Sequence, residues 1–311
     1  MSHGELTSYG HNCKIIVGEK TNMSMLYDQS QEKSALDICS NRIGWLLTIA
    51  YFTAIGFTYM FRFEKQISFY FFFLIIILIS FQRLFSTSVY TIVSHIIQKN
   101  KLSDLCLTGC VFALNELICT IYYLIFLSDR SAPILEHADA SYTLILSGVI
   151  LAPIVEELVF RGLIWFILKP FGQCFALLVT TFLFICMHGG ADPFVILCLS
   201  ISSGLIMAIT NNIFYSVILH LIHNLGILLP SSSGNANEIL PIIILNVFII
   251  LLCLSFLAVK KFPITQFIEL LKEDSLFLSN IREFFSTSGM LAYTLIFGFQ
   301  FVFSVIACFI S

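Results

Sequence analysis

The sequence predicts an all-α fold, a polytopic transmembrane helical bundle of about eight to nine spans, on three observations. Of the 311 residues, 58% are hydrophobic and 11% charged, whereas a soluble domain carries about a quarter charged and just under half apolar residues. The apolar residues fall in runs long enough to cross a hydrocarbon layer, which takes roughly 20 residues as a helix. These Phe- and Ile-rich runs show no period-2 alternation of polar and apolar residues, which argues against a β-barrel.

The elements follow in order. Residues 1–42 are polar and mixed in charge, read as a poorly ordered cytoplasmic tail without a signal-peptide stretch. The N-terminal transmembrane helices occupy 43–141, with spans over 43–62, 67–88 and 104–127. A core at 142–230 holds spans 142–168, 171–188, 193–210 and 213–229. The C-terminal part, 231–311, holds spans 239–259 and 288–309. Between those two, 262–286 interleaves Phe, Ile and Leu with Lys272, Glu273, Asp274 and Arg282, the pattern of an amphipathic helix lying in the interface. No internal repeat pairs the two halves, a common feature of transporters.

Loop charge sets the orientation. With the N-terminus in the cytoplasm, that side receives Lys14, Lys20, Lys33, Arg42, Lys99, Lys101, Lys169, Lys260, Lys261, Lys272 and Arg282. The other side receives Arg62, Lys65 and Arg130, with the acidic 129–139 loop, a bias that follows the positive-inside rule. The net charge of −3 comes with no free-standing basic patch, so no nucleic-acid partner is expected. Most of the ten cysteines lie inside apolar runs, where thiols pack as small hydrophobes.

Charged groups at membrane depth cost several kcal/mol or more to bury and mark function. The strongest set is Ala152-Pro153-Ile154-Val155-Glu156-Glu157-Leu158-Val159-Phe160-Arg161-Gly162. Adjacent residues of a helix point about 100° apart, so Glu156 and Glu157 have different roles. Glu157 and Arg161, four apart with Glu first, suit an ion pair along one face. That leaves Glu156 free for chemistry, on a helix that Pro153 just upstream can kink or open. His188 ends the fifth span, and His220 and Asn224 share one face of the seventh. A carboxylate and a histidine polarise water, and a histidine with a carboxamide holds an oxyanion. Taken singly, these groups read as helix glue, an interface histidine or a substrate-path pair; their combination points to amide hydrolysis. Arg83 and Asn115-Glu116 are expected to pair with each other, and His223 reads as a bystander.

Glu156-Glu157-x-x-Phe160-Arg161, then Phe184-x-x-x-His188, then His220-x-x-x-Asn224 resemble the three motifs of the CPBP family. This group contains the CAAX proteases and bacteriocin-processing enzymes, also called Abi, and the type II CAAX prenyl endopeptidases. The resemblance covers roughly 142–230. It implies an integral-membrane endopeptidase in which Glu156 and His188 activate water, His220 and Asn224 hold the oxyanion, and Glu157 and Arg161 brace the site. The family carries a metalloprotease label. The reading here is hydrolysis with no required metal, and zinc on Glu156, His188 and His220 is the alternative.

The expected substrate is a membrane-embedded or lipidated peptide or protein in the bilayer, cut near the cytoplasmic face. The alternative is a catalytically dispensable scaffold acting on a bacteriocin or a membrane sensor. The expected location is a bacterial cytoplasmic membrane.

Overall fold

The computed structural model describes residues 29–61, 65–85, 89–126, 145–188, 192–228, 236–259 and 277–310. The polar 1–28 segment, the 129–139 loop, Gly189-Gly190 and the 262–276 part of the interfacial segment lie outside the described residues. Among the described residues every regular element is helical. They are α1 (Gln29–Phe61), α2 (Lys65–Phe85), α3 (Val89–Ile96), α4 (Leu102–Phe126), α5 (145–168), α6 (Gln173–Met187), α7 (Pro193–Thr210), α8 (Ile213–Leu228), α9 (Ala236–Val259), α10 (Phe277–Ser286) and α11 (288–310).

Five of these helices are long and apolar enough to cross a bilayer, or six if α10 and α11 count as one span bent by 74°. The eight to nine spans read from sequence counted apolar runs. Two of those runs form helices of 15 and 16 residues, α6 and α8, shorter than the roughly 20 residues a full crossing needs. A third run, α5, is segmented by π-helical turns at Ile145–Leu151 and Leu158–Ile164.

The tail ends earlier than expected. Residues 29–42, assigned to it from their polarity, belong to α1. Leu36, Cys39 and Ser40 are buried where α1 packs on α10 and α11, and Lys33 Nζ meets Glu283 Oε1 at 3.0 Å. Lys33 and Ser34 lie on the exposed side of a helix whose other side is covered. Farther along, α1 crosses α11 at Gly44 and Gly289. A Cβ on Gly44 would fall 2.2 Å from the Gly289 carbonyl carbon, so only a bare backbone permits this approach.

Hydrogen bonds mark the two ends of the bundle. At one end Arg42 Nη1 donates to Leu84 O (2.5 Å), Asn212 Nδ2 to Gln98 O (3.1 Å), Lys169 Nζ to Asn211 Oδ1 (2.8 Å) and Asn280 Nδ2 to Phe171 O (3.1 Å). At the other, Ser147 Oγ donates to Gln66 Oε1 (2.7 Å) and Tyr122 OH to Asp192 Oδ2 (3.2 Å). Asp192 also caps α7, accepting from the backbone N–H groups of Phe194 and Val195, which fixes where α7 begins. The core between the ends is apolar and aromatic, with Phe73, Phe81, Phe160, Trp165, Phe175 and Phe184 fully buried.

Candidate active site

Helix α5 carries Glu156 and Glu157 in one α-helical turn, Ala152–Glu157, with π-helical turns on both sides. Pro153 has no N–H to give to the preceding turn, and the helix is wound wider just before it. Such π-turns interrupt helices frequently at functional sites. The turn is packed by α8 and α2, and Glu156 and Glu157 are both buried.

Glu156 is held from three sides. Tyr70 OH, from α2, donates to Oε1 at 3.0 Å. His188 Nε2 faces Oε2 at 3.4 Å and His220 Nε2 faces the same oxygen at 3.8 Å. His188 follows the last residue of α6, and its ring stacks on Phe184 with centroids 4.2 Å apart. Its Nδ1 lies 2.8 Å from Phe184 O; a carbonyl only accepts, so Nδ1 carries the proton. In neutral His188 the bare Nε2 therefore points at Glu156.

Glu157 turns the other way. Its Oε1 lies 2.9 Å from His220 Nδ1, and its Oε2 lies 3.5 Å from Arg161 Nε, with the Glu157 and Arg161 side chains fully buried. Arg161 Nη2 donates to Ser200 O (2.9 Å) and Ser200 Oγ (2.6 Å), and the guanidinium sits 4.4 Å over the Phe184 ring. A carboxylate at Nδ1 fixes the orientation of an imidazole. Glu157 thus aims His220 Nε2 at Glu156.

Asn224 lies one turn beyond His220 on α8, and its Nδ2 donates to Gly148 O at 2.9 Å. An amide nitrogen carries two protons, so one remains for another acceptor. Gly148 lines a cavity of about 340 Å³, with Thr58, Lys65, Gln66, Phe69 and Tyr70. Tyr70 and Gly148 thus connect that cavity to Glu156 and Asn224.

The structure brings Glu156, Glu157, Arg161, His188 and His220 into one connected set and ties Asn224 to the adjoining wall. Tyr70, Ser200 and Gly148 were not singled out in the sequence. Tyr70 is one aromatic in an aromatic run, and nothing local distinguishes it; a small polar residue such as Ser200 within an apolar span was the one available signal.

The expected pairing of Arg83 with Asn115 and Glu116 is not found. Arg83 lies exposed in the last turn of α2, which does not pack on α4. Glu116 Oε1 instead lies 2.6 Å from His223 Nδ1, and Asn115 Nδ2 donates to the same Glu116 oxygen at 3.1 Å. Ser202 Oγ donates to Asn115 Oδ1 at 3.2 Å. His223 thus has its own carboxylate, because α4 packs against α7, α8 and α9.

Zinc needs three or four ligands around one point. Among the described residues no group of three or more His, Cys, Asp or Glu side chains is arranged to hold a metal ion.

No curated protein and no solved structure matches the chain. Residues 138–226 match the family model described as type II CAAX prenyl endopeptidase Rce1-like, which supports a protease of the CAAX type. The matched segment carries Glu156, Glu157, Arg161, His188, His220 and Asn224, and the match supports an assignment to the CPBP group of CAAX proteases.

Proposed function

We propose that this protein is an intramembrane endopeptidase that hydrolyses a peptide bond by a water activated between Glu156 and His188. The observation that carries the reading is the convergence of two imidazole nitrogens on one oxygen of Glu156. A carboxylate oxygen and a bare imidazole nitrogen both only accept, so hydrogens must lie between them, and a bound water brings two.

In the reaction, the water oxygen bonds to the scissile carbonyl carbon as its proton passes to Glu156, with His188 orienting it. Negative charge moves to the carbonyl oxygen. The Nε2–H of protonated His220, supported by Glu157, and the free Nδ2–H of Asn224 are the donors for that oxyanion. The C–N bond then breaks and the proton held by Glu156 moves to the leaving amine. Tyr70 keeps the Glu156 carboxylate from rotating while this happens.

Cleavage of a quenched peptide library by purified wild type and Glu156→Gln protein in detergent, each with and without a strong chelator, tests this. The expected result is cleavage that is lost in the variant and survives the chelator. Cleavage that persists in the Glu156 variant would overturn the assignment, and loss with the chelator alone would replace it with a metal-dependent one.

A further inference from the structure

Helices α4 and α7 run antiparallel and meet along one row of contacts. Ser202 Oγ donates to Asn115 Oδ1 at 3.2 Å. About two turns farther along α4, the Tyr122 ring stacks on Phe194 with centroids 4.3 Å apart, and its hydroxyl donates to Asp192 Oδ2 at 3.2 Å. These contacts fix the register: as α4 runs from 115 to 122, α7 runs back from 202 to 194. Cys119 falls between them, four residues after Asn115 and three before Tyr122, on the same face of α4. Cys198 falls four residues from Ser202 and four from Phe194, on the matching face of α7. There the two thiols meet in a hydrogen bond. Both are half-buried, whereas Cys186 is sealed in the core.

We infer that Cys119 and Cys198 are a redox-modification site, a dithiol that closes to a disulfide and ties α4 to α7. A disulfide needs Cβ atoms that face each other about 3.5–4.5 Å apart, and thiols in contact from opposed positions of a fixed register already converge. Cysteines that only fill space need not share a rung. The oxidant is a lipid-soluble disulfide compound, since the pair lies about two turns in from the end of α4. One protein thiolate bonds to a sulfur of that compound, whose S–S bond breaks, and its other sulfur leaves as a thiolate. The second protein thiolate then attacks the sulfur of the first, forming the Cys119–Cys198 bond and releasing the remaining sulfur. Two protein thiols are oxidised, one external disulfide is reduced to two thiols, and the two protons given up by the pair end on those. The tie falls on helices that frame the active site. Helix α4 carries Glu116, whose Oε1 lies 2.6 Å from His223 Nδ1 on α8, and α7 carries Ser200, which accepts from Arg161. It also joins residues 79 apart in the chain, which restricts the unfolded state.

The thiol pair is independent of the proteolytic reading, and testing it needs no substrate. Full-length protein in detergent is reduced, freed of reductant and treated with dipyridyl disulfide. Remaining thiols are alkylated and the protein is digested without reduction. The expected peptide map shows Cys119 joined to Cys198, with the link lost in dithiothreitol. The oxidised protein is expected to unfold several degrees higher than the reduced one. That gain should be reversed by reductant and absent in Cys119→Ser and in Cys198→Ser. Cys119 and Cys198 recovered separately, alkylated or as mixed disulfides, would overturn the site. So would links made only elsewhere, for example through Cys253, whose Sγ would lie 3.4 Å from a Cβ on Gly109 of α4. A Cys119–Cys198 link with no rise in unfolding temperature would overturn the tie between the helices. The map is read on wild type, so it decides the site even where a serine variant fails to fold.

Discussion

Glu157 Oε1 lies 2.9 Å from His220 Nδ1, and the opposite oxygen of the same carboxylate lies 3.5 Å from Arg161 Nε. One buried carboxylate thus joins a fixed cation to a histidine that faces the neighbouring Glu156. In the proposed reaction the adjacent glutamates divide the work: Glu157 holds the site together and Glu156 meets the water.

Arg161→Met should reduce stability more than any other single change in the site. Removing one partner of a buried ion pair costs about 3–5 kcal/mol, because the other charge is left without a counter-charge. The double variant Glu157→Gln/Arg161→Met should lose less than the sum of the two single changes. Thermal unfolding in detergent measures all three; strict additivity would show that the pair does not act as a unit.

Tyr70→Phe should leave the protein folded and lower kcat. A hydrogen bond to a charged group contributes about 1.5–3 kcal/mol, which corresponds to roughly a ten- to a hundredfold slower reaction if it is needed at the barrier. Peptide cleavage at saturating substrate decides this, and an unchanged rate would reduce Tyr70 to part of the cavity wall.

His223→Ala should act on stability and not on cleavage. It leaves Glu116 without its closest partner, at a cost of about 1–3 kcal/mol, while Glu156, His188 and His220 keep their contacts. A thermal shift together with a normal cleavage rate is expected. A large loss of rate at unchanged stability would bring the Glu116–His223 pair into the catalytic machinery.

Gly44→Ala should weaken the seating of α1 on α11. The new Cβ would lie 2.2 Å from the Gly289 carbonyl carbon, so the two helices must separate, a cost of at least about 1–3 kcal/mol. Protease protection of the folded protein would fall, whereas Gly56→Ala, whose Cβ meets nothing within 4 Å, should change it little.

The helical class was legible because bilayer and backbone leave few choices: apolar runs of this length have their peptide groups satisfied within one helix. The residues at membrane depth were legible for a related reason, since Glu156, Glu157, Arg161, His188 and His220 are costly to bury without purpose. Span count was less legible. Hydropathy measures how apolar a run is, not whether π-turns segment it, as in α5, or whether it stops at 15 residues, as in α6.

By itself, the sequence determined an all-helical membrane bundle and showed which few polar residues lie at membrane depth within it. Tertiary structure alone decided the partners. His223 meets Glu116 and not Glu156, Arg83 meets neither Asn115 nor Glu116, and Tyr70 reaches Glu156 across 86 residues of chain. The reason is physical: composition and spacing act along a single helix, whereas a contact between helices depends on which faces pack and how far the backbones approach, and these are settled by side chains distant in sequence.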